Sequence, residues 1–237
     1  MEDLAEKITN MRRKYREIFL TTVDAIKQRV EELRPEKLKG DIFDTYAKNS
    51  DGEKWQIAVL DMFENDISHE IYRKWTEILA FRQNFSCKGC ATCCNLACSE
   101  FSPEQLKEKA KNGDRFAAQF ISIFIPYNTK EEAKKIYPEY IKLVEDTLED
   151  ENVYFYHCPK LNDCNRCSDY ENRPQICRVF PDNPLSILPE SCGYYEWRLQ
   201  VEPVALMLHS MMEIIDYYKQ KIPAPDGRMS RGQEGRQ

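Results

Sequence analysis

The segment Cys87-Lys-Gly-Cys90-Ala-Thr-Cys93-Cys94 holds four cysteines in eight residues, and Cys98 follows four residues on. Two intervening residues let a tight turn aim two thiolates at one metal, and Gly89 supplies backbone freedom inside the turn. Inert buried thiols explain single cysteines, such as Cys98, but not a string of this kind. Bacterial ferredoxins open with the same C-x2-C-x2-C spacing. Here the next cysteine is either immediate, Cys94, or late, Cys98, so the run is not a ferredoxin's. Side chains of adjacent residues point in different directions, so Cys93 and Cys94 serve different metal atoms or one of them is structural. A second group follows about 60 residues later: His157-Cys158-Pro159, Cys164-x2-Cys167, Cys177-Arg178 and Cys192. A site drawing ligands from both groups ties distant parts of the chain together and contributes to folding.

The compartment decides what ten cysteines in 237 residues mean. The opening, Met1-Glu2-Asp3-Leu4-Ala5-Glu6, is acidic and shows no basic stretch followed by an apolar one. We therefore expect a reducing cytoplasm, where such a pattern points to metal or catalysis; five disulfides would need an oxidising compartment. The most apolar later stretch, Val204 to Ile215, is interrupted by His209 and Glu213 and is too short to span a bilayer. The net charge of −6 argues against nucleic acid and anionic membranes, whose phosphates call for clustered Lys and Arg. A protein substrate or partner is the remaining expectation.

Apolar periodicity predicts a mainly α fold, a helical domain enclosing an irregular Cys-rich metal-binding element with little or no strand. Leu4, Ile8, Met11, Tyr15 and Ile18 form one face of a first helix, continued less strictly by Thr22, Ile26, Val30 and Leu33 and stopped at Pro35. The heptads fade after about three repeats, so a bundle helix is preferred to a coiled-coil seam. A second helical region covers about 53–83, divided near Asn65-Asp66 or Ser68. Its expected core is Trp55, Val59, Met62, Ile67, Ile71, Ile78 and Leu79. Ser102-Pro103-Glu104-Gln105 and Thr129 with Glu132 read as capped helix starts, and Pro138 opens another helix. Val153 to Tyr156 reads as one extended strand, and 157–198 as irregular. A last helix is expected from about Glu202 to Lys219. The expected division is 1–84 N-terminal helical, 85–200 metal-binding, 201–222 C-terminal helix and 223–237 disordered tail.

The string Cys87-x2-Cys90-x2-Cys93-Cys94, followed by Cys167-x2-Tyr170-x2-Arg173-Pro174-x2-Cys177-Arg178-x-Phe180-Pro181, resembles the YkgJ-type cysteine-cluster proteins, a family associated with zinc or iron chelation. The resemblance implies eight metal ligands: Cys87, Cys90, Cys93, Cys94, Cys158, Cys167, Cys177 and Cys192. Cys98 and Cys164 fall outside the family pattern. The family includes flagellin lysine N-methylases, longer proteins thought to use an iron–sulfur cluster with S-adenosylmethionine, so the resemblance also implies those cofactors as candidates.

Arg173 and Arg178 flank Cys177, and a guanidinium there offsets thiolate charge and donates N–H groups to sulfur; an ordinary surface ion pair is the competing reading. Tyr170 and Phe180 read as apolar packing, and His157 as a packed side chain or the fourth ligand of a Cys3His zinc site. His69 and His209 carry no assigned role. There is no G-x-G-x-x-G, G-x4-G-K-[ST], G-x-S-x-G or H-E-x-x-H, and the C-x3-C-x2-C of radical S-adenosylmethionine enzymes fails because position 101 is Phe. Three functions stay open at this point: a structural or metal-handling centre, an iron–sulfur enzyme such as a lysine N-methylase, and an electron-transfer module. Zinc and an iron–sulfur cluster suit the ligands equally.

Overall fold

A computed structural model describes residues 4–148 and 152–223. The expected tail from 223 onward lies almost entirely outside the described residues. The chain is about 60% helical with one small three-stranded sheet, mainly α as its periodicity predicts.

The elements fall into two compact units. The first holds Phe81–Glu202 with the chain up to Arg12; the second holds Arg13–Ala80 and the chain from Pro203. The N-terminal helical region and most of the C-terminal helix, which the sequence separates, therefore share one unit.

That second unit is built on helix α2 (Asp51–Met62) and on the greater part of α1 (Leu4–Glu32), α3 (Ser68–Phe81) and α10 (Tyr195–Lys221). Ser50 caps α2 by accepting from the Glu53 amide. Between α2 and α3 the chain does not break: Phe63–Ile67 is a π-helical turn, in which the Ser68 hydroxyl donates to the Phe63 carbonyl at 2.7 Å. The wider turn lets Phe63 and Ile67 both be fully buried. Trp55 and Val59 are buried as expected, whereas Ile71 and Leu79 are only half-buried. Among the described positions of the α1 stripe, Thr22, Ile26 and Val30 are buried, while Met11, Tyr15 and Ile18 are half-buried. The rings of Phe43 and Phe63 pack on Tyr218 with centroids 5.2 and 5.5 Å away. Tyr15 donates from its hydroxyl to Glu213 at 2.9 Å.

Helix α10 corrects the expected start near Glu202. It begins at Tyr195 and carries Pro203 inside. Proline removes one amide from the ladder and normally marks a first turn. Here Trp197, Val201, Ala205 and Leu208 form one buried stripe across the proline, and that burial sustains the helix.

In the first unit, strand β3 (Tyr154–His157) is central, with β1 (Ala97–Ser99) and β2 (Ile125–Pro126) antiparallel on its two sides. Alternate residues of a strand face opposite ways. Accordingly, Phe155 enters a cluster with Leu96, Tyr140, Ile141 and Val144, while Tyr156 enters another with Leu106, Ala117 and Phe120. Helices α5 (Pro103–Lys111), α6 (Arg115–Ile123) and α8 (Pro138–Leu148) supply these residues apart from Leu96, and α7 (Lys130–Lys134) adds Ala133. The capping signals read from the sequence are present: Gln105 N–H donates to the Ser102 hydroxyl at 3.2 Å, and Ser102 N–H to the Gln105 side chain at 2.8 Å. Replacing Ser102 with Ala should cost about 1 kcal/mol, measured as a lowered urea midpoint at unchanged slope. Two short helices were not foreseen, α4 (Thr92–Asn95) and α9 (Gln175–Val179), and each carries cysteines of interest.

Candidate metal centre

All eight candidate ligands lie in the first unit and all are free thiols, half-buried. The clip starts with two left-handed residues, Gly89 at φ 71° and Ala91 at φ 63°. They turn the backbone so that the Gly89 amide donates to the Cys87 sulfur at 3.4 Å. The amides of Thr92, Lys160 and Tyr194, each two residues beyond a cysteine, exert a lowering pull on the Cys90, Cys158 and Cys192 thiols. Such donors favour the thiolate, the form that binds metal.

The second group is brought to the first by the sheet. Strand β3 ends at His157, and Cys158 N–H then donates to the Cys94 carbonyl at 2.6 Å, just beyond the β1–β3 pairing. A small hairpin follows: Leu161 bridges Cys167, Asn162 N–H donates to Arg166 at 2.9 Å, and Ser168 returns to the Lys160 carbonyl. Asn165, left-handed at φ 56°, forms its tip. Cys192 is seated by Gly193, where an added Cβ would stand 1.9 Å from the Ser86 carbonyl oxygen and 3.1 Å from the Lys88 nitrogen. No side chain fits there, so residues 192–193 lie directly on the start of the clip.

The thiols meet in pairs. Cys192 donates to Cys90, which, with help from the Thr92 and Ser191 hydroxyls and the Thr92 amide, lowers the Cys90 pKa to about 5 and raises that of Cys192. Cys93 donates to Cys94, and this contact together with burial holds Cys93 well above the usual thiol range. Burial, then the charges of Cys94 and Cys158, push Cys177 up to about 11 despite Arg173 nearby. Among the described residues no three His, Cys, Asp or Glu side chains stand as a formed metal-binding group. The donor chemistry suits a metal: eight free thiols lie in one unit, the Gly89 amide donates to the Cys87 sulfur, and a thiol proton is what thiolate ligation releases. The residues fit a thiolate-bound zinc or iron centre.

The other sequence candidates are placed as follows. Arg173 is half-buried, exerts a lowering charge on Cys94 and Cys177, and lays its guanidinium 3.6 Å from the Tyr170 ring centroid. Arg178 points to the backbone instead, donating to the carbonyls of Arg173 (2.7 Å) and Glu171. His157 stacks obliquely on Tyr127, centroids 5.0 Å apart. Cys98, opposite Phe155 on β1, and Cys164, whose amide donates to Asn162, are exposed. Sequence reasoning missed Thr92, Ser191 and Gly193, although each adjoins or nearly adjoins a cysteine. It also missed Arg82, which donates to the Arg178 and Phe180 carbonyls and lies over the Tyr194 ring, 4.5 Å from its centroid. Arg82 thereby holds the segment after Cys177 near the segment after Cys192.

Helices around a small sheet, with loops presenting eight thiols, define a cysteine-cluster chelating domain. Residues 86–193, slightly under half of the chain, match the model of the CxxCxxCC family, described as "Putative zinc- or iron-chelating domain". No curated protein and no solved structure matches the chain. Among the described residues no helix is long and apolar enough to cross a membrane.

Proposed function

We propose that residues 86–193 bind zinc, or iron as an iron–sulfur cluster, through the thiolates of both cysteine groups, in a reducing cytoplasm. The observation that carries this is the delivery of both cysteine groups to one region: the Cys158 amide donates to the Cys94 carbonyl at 2.6 Å, and Gly193 lies against Ser86 and Lys88. The Gly89 amide, donating to the Cys87 sulfur at 3.4 Å, favours the thiolate that binds metal. A bound centre also joins segments distant in sequence, so its binding energy adds to folding energy.

Metal analysis and an absorption spectrum of the anaerobically purified protein test the reading. Zinc without colour supports a structural or metal-handling centre. Iron with acid-labile sulfide and a brown colour supports a cluster, and only then do lysine N-methylation with S-adenosylmethionine and electron transfer stay in play. A change in the cluster's EPR signal on adding S-adenosylmethionine separates those two. Protein that takes up neither metal, as purified or after anaerobic reconstitution, ends the reading.

A further inference from the structure

The eight thiols do not form one group. Helix α4 advances about 100° per residue, so Cys93 and Cys94 leave it in different directions. On one side, Gly193 packs against Ser86 and Lys88 and so brings Cys192 beside Cys87, and the Cys192 thiol donates to Cys90. Cys93 has Cys90 and Cys87 as charged neighbours. The buried Tyr140 lies near Cys98, Cys93, Cys192 and Cys90. On the other side, Cys158 is hydrogen-bonded through its amide to Cys94, and the hairpin carries Cys167 back past Leu161. Cys177 on α9 has Cys94, Cys158 and Cys167 as its neighbours. The two sides touch at their junction, where Cys93 donates to Cys94 and the charges of Cys94 and Cys90 interact.

We infer that the domain holds two metal sites of four thiolates each, one of Cys87, Cys90, Cys93 and Cys192, the other of Cys94, Cys158, Cys167 and Cys177, joined at the Cys93–Cys94 peptide. This rests on the thiolate chelation proposed above and assigns every ligand within it. Four thiolates about one divalent metal leave excess negative charge, and the two sites offset it differently. The first receives N–H groups from Gly89, Thr92 and Tyr194 and hydroxyls from Thr92 and Ser191. The second has two cations, the guanidinium of Arg173 beside Cys94 and Cys177 and the Lys160 ammonium near Cys158 and Cys167, with the Lys160 amide also acting on Cys158.

The full chain, stripped anaerobically with a chelator and titrated with Co2+, tests the division through thiolate-to-cobalt charge-transfer absorbance. Wild-type protein, and the C98S and C164S variants, should saturate at about two equivalents. Cys192→Ser and Cys177→Ser should each saturate at about one. The within-site pair C87S/C192S should also keep one, whereas the cross-site pair C192S/C177S should keep none. Wild-type saturation at one equivalent overturns the division without needing any variant to fold, as does a cross-site pair that still binds one. Absence of charge-transfer absorbance in wild-type protein overturns thiolate chelation itself, a distinct result.

Discussion

Replacing Trp55 with Ala should destabilise the second unit by about 3–5 kcal/mol, the range for deleting a large buried aromatic side chain. Trp55 is 1% exposed, and its indole N–H donates to the Val30 carbonyl at 2.9 Å. That carbonyl lies in the last turn of α1, where it also accepts from the Leu33 amide at 3.3 Å. The Arg34 guanidinium also sits 5.3 Å from the ring centroid. The substitution therefore removes apolar burial, a helix-end hydrogen bond and a cation–π contact together. Trp55→Phe separates these contributions: it keeps most of the ring and removes the indole hydrogen bond while the Leu33 amide still serves the carbonyl, for about 0.5–1.5 kcal/mol. Urea unfolding followed by circular dichroism reads both. A loss under 1 kcal/mol for Trp55→Ala would show that the ring does not anchor this core.

The second large effect is expected at Gly193. An alanine Cβ would lie 1.9 Å from the Ser86 carbonyl oxygen, a fixed backbone atom, so the two segments must separate. Overpacking of this kind typically costs about 1–3 kcal/mol, and a backbone-on-backbone clash belongs at the upper end. The separation carries Cys192 away from Cys87 and Cys90, so metal content should fall as well as stability. Gly89→Ala is the contrasting case. Nothing lies within 4 Å of its added Cβ, but its φ is 71°, so the cost is the roughly 1 kcal/mol of a left-handed side chain. Metal content and urea midpoint measured on both variants separate steric exclusion from conformational strain. Equal metal content in Gly193→Ala and wild-type protein would show that the close approach does not position Cys192.

The sequence features that proved legible are those decided within a few residues. Ser102 with Gln105, Thr129 with Glu132 and Pro138 each mark a helix start that is present, because a cap is a contact over three positions. The strand at 153–156 was visible in its β-branched and aromatic run, and forms β3 one residue later. The start of α10 was not visible, because Pro203 is a strong local signal and the burial of Trp197 that overrides it is tertiary. The π-turn at Phe63–Ile67 was read as a break, since Asn65, Asp66 and Ser68 are poor helix formers whose fate depends on what Phe63 and Ile67 pack against. At the site, spacing singles out the cysteines themselves. What surrounds them, the Ser191 and Thr92 hydroxyls, the amides and the proximity of Cys192 to Cys87, arises from backbone approaches over about 100 residues that leave no periodic trace.

Strand β3 gives the domain a mechanical ruler. Phe155 and Tyr156 differ in which cluster they enter, and the next residue but one is Cys158. A slip of one residue would send each ring to the wrong face of the sheet and shift the Cys158 amide off the Cys94 carbonyl. The apolar interior therefore measures out where a sulfur is delivered, before any metal is present to correct it. Mutations in either cluster should consequently act as errors of alignment at the metal centre rather than as simple losses of packing.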